Sequence, residues 1–215
     1  IAGDNLQDLK SGYLLGSTVD LPVTLDLKRC RGGCSAVLEL NYGVIDFEEF
    51  IFRYRKDFGS PIIKSPELTY FAPQVRSYFP DARYAFIQRN PLDTIRSVLN
   101  RLRIPGHLDS IDLKDWLELR RTPMWKLVLS PSWLGRRAEN YVAALAHRWD
   151  LAAREHLANA GSYSLIYYED FLRDKKGEIE SLASRLGMAV KRDIGEEVDR
   201  QFQPKGNRRV DIEEF

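Results

Sequence analysis

The sequence predicts an α/β fold, a three-layer α/β/α domain around a central parallel sheet, and three observations within residues 62–102 predict it. Ile62-Ile63 and Tyr84-Ala85-Phe86-Ile87 are short apolar runs bounded by Pro61 and Pro80, the pattern of strands buried on both faces. A stretch long enough for a helix separates them, as a parallel crossover requires. Asn90 and Pro91 then open a second amphipathic segment, which makes the unit βαβα.

Each element follows from local chemistry. Asn90 is suited to cap a helix, Pro91 to occupy its first turn and Asp93 to face the positive end of its dipole. Ile95, Val98, Leu99 and Leu102 repeat at core-facing spacing behind them. The stretch 103–135 is irregular, with Pro105, Gly106, Pro123 and Pro131 punctuating Trp116, Trp125 and Trp133, and is expected to form a lid over an acceptor pocket. Ala138, Tyr141, Val142, Leu145, Trp149 and Ala152 predict a core-packing helix from about 133 to 158. This spacing assigns Trp149 to packing. Ser164–Tyr168 reads as a further buried strand, and Ile179, Leu182 and Leu186 as the apolar stripe of a late helix.

A chain of 215 residues can bury a sizeable core, and residues 1–215 are expected to form a single domain. The 44% hydrophobic and 29% charged content argues against disorder, and a net charge of +1 gives no global reason to expect nucleic acid as a partner. No apolar run is long enough to span a bilayer, and the start is not a basic-then-apolar leader. Cys30 and Cys34 flank Arg31-Gly32-Gly33, while the histidines stand apart at 107, 147 and 156, which disfavours a zinc site. Free thiols suit the cytoplasm, the favoured compartment, whereas a disulfide here would point to secretion.

Arg89 is the residue that needs explaining. It ends a buried parallel strand, where ligands collect because the following helix presents unpaired N–H groups. A guanidinium there can grip a phosphate in bidentate fashion, and Ser97, two turns into the helix, can add a hydroxyl. The alternative is a solvated or salt-bridged arginine. Lys64 closes the first apolar run ahead of Pro66, which favours an extended conformation before it, so its ammonium is expected in the same crevice.

Lys64-Ser65-Pro66, Phe79-Pro80, Arg89-Asn90-Pro91-Leu92-Asp93 with Ser97, Tyr167-Tyr168-Glu169-Asp170-Phe171 and Leu186-Gly187-Met188 together resemble the sulfotransferase superfamily, closer to its protein-tyrosine sulfotransferase-like branch. The resemblance covers roughly residues 1–209. It implies a P-loop-like fold and an enzyme that uses 3′-phosphoadenosine 5′-phosphosulfate (PAPS) as donor, without a metal. It also implies that Arg89 and Ser97 hold the 3′-phosphate, Tyr168 the adenine, and Lys205, Gly206 and Arg208 a phosphate lid in which Pro204 stands where relatives have arginine. Lys64 would stabilise the transferring sulfonate.

The acceptor implied is a small molecule, carbohydrate or peptide carrying a hydroxyl or amine. Asp4 stands where relatives carry a catalytic glutamate and is the candidate base, one methylene shorter; a loop or cap role is equally open. His107, on an expected loop, and Glu39, read as the exposed residue of an alternating strand, are lesser candidates. The family's phosphate loop is expected upstream of Ile1, because Gly16-Ser17-Thr18 is read as lacking the preceding apolar strand, a further glycine and a basic residue. A non-catalytic scaffold that lost this loop is the alternative function. A nucleotide kinase is a third, without a magnesium motif to support it.

Overall fold

The computed structural model describes residues 13–17, 33–56, 58, 62–110 and 125–198. Among these residues the sheet has four strands in the order β2-β1-β3-β4: β1 Tyr13–Ser17, β2 Ile62–Lys64, β3 Arg83–Gln88 and β4 Tyr163–Tyr167. All neighbours run parallel, with Leu15 opposite Lys64 in β2 and Ala85 in β3, and Phe86 of β3 opposite Leu165 of β4. The two expected apolar strands are present but do not pair with each other. A strand does precede Thr18, contrary to expectation, and it lies between them.

The connections are helical. Between β1 and β2 come α1 (Gly33–Asn41) and α2 (Phe47–Arg53), the latter capped by Asp46, which accepts from the Glu49 N–H at 2.8 Å. Between β2 and β3 a 3₁₀ turn, Pro66–Phe71, runs into α3, Ala72–Tyr78. Glu39 belongs to α1 and not to a strand, and pairs with Arg53 at 2.5 Å.

α4 spans Pro91–Leu102 and ends where Arg103 takes the left-handed conformation with φ 56°. There follow α5 (Trp125–Leu129) and α6 (Tyr141–Ala158). The last starts eight residues later than its apolar repeat suggested. Gly135, at φ 68°, ends a 3₁₀ turn at Ser132–Leu134, and the Asn140 side chain accepts from the Ala143 N–H at 2.9 Å, which fixes the true start. After β4 come α7 (Tyr168–Arg173), α8 (Lys175–Arg185) and α9 (Gly195–Val198).

Two apolar clusters pack the helices. One joins Val37 and Leu40 of α1, Phe50 and Ile51 of α2, Ile63 of β2 and Val75 of α3 with Phe58 and Phe79, whose rings stack at 5.2 Å. The other joins Ile95, Val98, Leu99 and Leu102 of α4 to Trp125 and Val128 of α5 and Tyr141 and Leu145 of α6. Part of the expected lid, α5, is thus core. Burying a side chain such as Phe79 contributes about 1.5–3 kcal/mol, so these clusters hold the strand ends in place.

The amino-terminal edge of the sheet is tied by polar contacts. Arg76 of α3 donates to Glu155 of α6 and to the Tyr163 hydroxyl, both at 2.9 Å. The Tyr84 hydroxyl donates to the Phe79 carbonyl at 2.7 Å. Burial pushes the phenols of Tyr84 and Tyr163 up to about 12.

Candidate functional site

Because every strand runs the same way, the carboxyl ends of β1, β2, β3 and β4 share one edge. Lys64 ends β2, Arg89 follows β3, and Tyr168 follows β4 as the first residue of α7. The topology therefore gathers three of the expected site residues. The Arg89 guanidinium lies 4.8 Å from the centroid of the Tyr168 ring, within the range in which the negative face of a ring attracts a cation. This contact orients the guanidinium before any ligand arrives.

The loop that carries Arg89 is held from three sides. The Asn90 side chain accepts from the backbone N–H groups of Leu92 and Asp93 at 2.9 and 3.4 Å, closing the first turn of α4. Trp149 of α6 donates its indole N–H to the Arg89 carbonyl at 3.0 Å. Glu169 of α7 accepts from the Asn90 N–H at 2.9 Å. Two backbone groups of one loop are thus fixed by side chains from two helices, Trp149 of α6 and Glu169 of α7. Neither Trp149 nor Glu169 was among the expected site residues; the only signal for Glu169 was its place in Tyr168-Glu169-Asp170.

Ser97 lies on α4, half-buried, seven residues beyond Asn90. At 1.5 Å per residue this is about 10 Å along the axis. Lys64 is also half-buried. Burial lowers its ammonium's pKa, while the charge of Glu67 opposes that shift. Asp4, Lys205, Gly206 and Arg208 lie outside the described residues, as does Cys30. His107 is exposed on the loop after α4. Among the described residues no cluster of His, Cys, Asp and Glu could hold a metal ion, and no helix is long and apolar enough to cross a membrane.

Chemically, this edge offers an oriented guanidinium, a partly desolvated ammonium and a capped helix start, a set suited to anions. A sulfotransferase from Alicyclobacillus acidocaldarius is similar in structure, with 15% identity, a TM-score of 0.48 and coverage of 90% of this chain and 87% of that one. No curated protein matches the sequence. The sulfotransferase family matches residues 27–192, a span that begins beyond Asp4 and takes in Lys64, Arg89, Ser97 and Tyr168. The chain belongs to the sulfotransferase family.

Proposed function

We propose that residues 1–215 form one three-layer domain that moves a sulfonate from PAPS to a hydroxyl or amine of a small-molecule, carbohydrate or peptide acceptor. The observation that carries this reading is the Arg89 guanidinium set over Tyr168 at the carboxyl edge of a parallel sheet. Arg89 and Ser97 bind the 3′-phosphate that distinguishes this donor, and Tyr168 meets the adenine. Lys205, Gly206 and Arg208 close over the phosphate.

In the reaction the acceptor oxygen or nitrogen forms a bond to sulfur as the bond from sulfur to the bridging phosphate oxygen breaks. The acceptor proton passes to a base, for which Asp4 is the candidate, and 3′-phosphoadenosine 5′-phosphate leaves. Lys64 stabilises charge on the sulfonate and the departing phosphate, as fixed cations do in phosphoryl transfer.

We also place the loop for the 5′-phosphosulfate within this chain. In the sequence Arg29, Arg31 and Gly32 directly precede α1, which opens at Gly33, and the family match begins at residue 27. Glycines allow close backbone approach to a phosphate, and the arginines supply charge.

Calorimetric titration with 3′-phosphoadenosine 5′-phosphate tests the donor site. Arg89→Ala should weaken binding by at least about 1.5 kcal/mol, the scale of a charge-assisted hydrogen bond, and transfer of labelled sulfonate should fall with it. Unchanged affinity would remove Arg89 from the site.

A further inference from the structure

Three contacts fix the direction of α6. Its carboxyl end lies at the amino-terminal edge of the sheet, where Glu155 accepts from Arg76 at 2.9 Å and the His156 ring lies 5.7 Å from that of Tyr163, the first residue of β4. Seven residues before His156, Trp149 reaches the Arg89 carbonyl at the opposite edge. Tyr141, eight residues earlier again, therefore stands about 12 Å beyond that edge. α4 leaves the Arg89 loop and packs on this part of α6, and the Leu108 carbonyl behind it accepts from the Tyr141 N–H at 2.9 Å. The far ends of α4 and α6, with α5 packed on them, form a spur that projects past the carboxyl edge of the sheet.

The surface of this spur is basic. Arg101, Arg103, Lys126, Arg136 and Arg137 are exposed on it, against two exposed acids, Asp109 and Glu139. The segment 111–124 carries three acids and three bases in sequence, which leaves that excess unchanged. Among the described residues none of the five cations pairs with a carboxylate; Arg101 lies 6.0 Å from the centroid of the Trp125 ring, a contact that keeps its charge. Nearer the Arg89 loop the acids are matched within their own helices, Asp93 by Arg96, Asp150 by Arg154 and Asp170 by Arg173. In a chain whose net charge is only +1, a positive excess thus stands on the side from which the candidate site is approached.

We infer that the spur steers the polyanionic donor towards the site, its field speeding capture without contact to the bound molecule. This rests on the sulfonate-transfer reading. The proposed donor carries a 3′-phosphate and a phosphosulfate, and surface charge of one sign beside a site raises the local concentration of the opposite ion. The charges act from a distance: along α4, Arg101 lies about 15 Å from Pro91. This exceeds the Debye length of about 8 Å in physiological salt but not the length of about 30 Å at 0.01 M, so the steering grows as salt falls.

Stopped-flow binding of 3′-phosphoadenosine 5′-phosphate, read by tryptophan fluorescence, separates association from dissociation. With Lys126→Gln, Arg136→Gln and Arg137→Gln combined, the association rate at about 0.01 M ionic strength should fall roughly tenfold, and the difference from wild type should close by about 0.5 M. The dissociation rate should stay the same. An unchanged association rate at low salt overturns the inference, and so does a loss of affinity carried by dissociation, which would make the spur a contact surface. Wild-type binding without salt dependence overturns it and leaves the donor site standing. No binding by the wild type at any salt removes the donor reading and the inference together. If the triple variant does not fold, Arg137→Gln alone should slow association about twofold at low salt, and no change overturns the inference.

Discussion

Trp149→Phe isolates how far the Arg89 loop depends on being held. The substitution keeps most of the ring within α6 but deletes the indole N–H that reaches the Arg89 carbonyl at 3.0 Å. A hydrogen bond of this kind contributes about 1 kcal/mol net, and more when its loss strands a buried acceptor. If the bond serves to preorganise Arg89, that free energy appears in ligand affinity, and binding of 3′-phosphoadenosine 5′-phosphate should weaken by about fivefold, since 1.4 kcal/mol is tenfold. Calorimetry gives the affinity, and thermal unfolding of the unliganded protein gives the stability cost separately. Glu169→Ala removes the partner of the Asn90 N–H and should weaken binding in the same direction. A melting temperature that falls while both variants bind like the wild type would refute the argument, because the loop would then hold its shape without either contact.

Two pH effects follow from buried rings. Tyr84 and Tyr163 ionise near 12 in the fold and near 10 when unfolded, so the unfolded chain loses protons first and stability should fall as pH rises from 10 towards 12. Tyr84→Phe should remove roughly 2 kcal/mol of the loss accumulated between pH 10 and 12 in alkaline denaturation curves; an unchanged loss would show that the phenol is not protected. His156 is buried beside Phe86, with ring centroids 4.8 Å apart, and desolvation lowers its pKa. Here the unfolded chain gains protons first, so stability should decline as pH drops below about 6.5, and urea melts of His156→Gln should lose that dependence. A wild-type curve already flat between neutrality and pH 5 would contradict it.

The segment 62–102 was readable because its signals are local: prolines bound the strands, and Asn90 caps the helix with its own side chain. Strand β1 was not. Tyr13-Leu14-Leu15-Gly16-Ser17 is short and ends in turn-forming residues, and what makes it a strand is pairing with residues near 63 and 85. The start of α6 was misplaced because Ala138 continues the apolar repeat past a glycine and a cap that interrupt the backbone. The site divides the same way. Lys64, Arg89 and Tyr168 sit at strand ends, which sequence can locate. Trp149 and Glu169 reach the Arg89 loop from 60 and 79 residues away.

The place of β1 in the sheet bears on how the chain must assemble. Among the described residues β2 has β1 as its only neighbour, and β1 also borders β3. β1 therefore waits for two strands made after it, and neither of those can register with the other in its absence. Closing such distant pairings is slow compared with forming hairpins. Cutting the chain just after Ser17 would strand the lysine-bearing ribbon and divide the carboxyl edge of the sheet in two, so any shortened version intended for study has to retain those five residues.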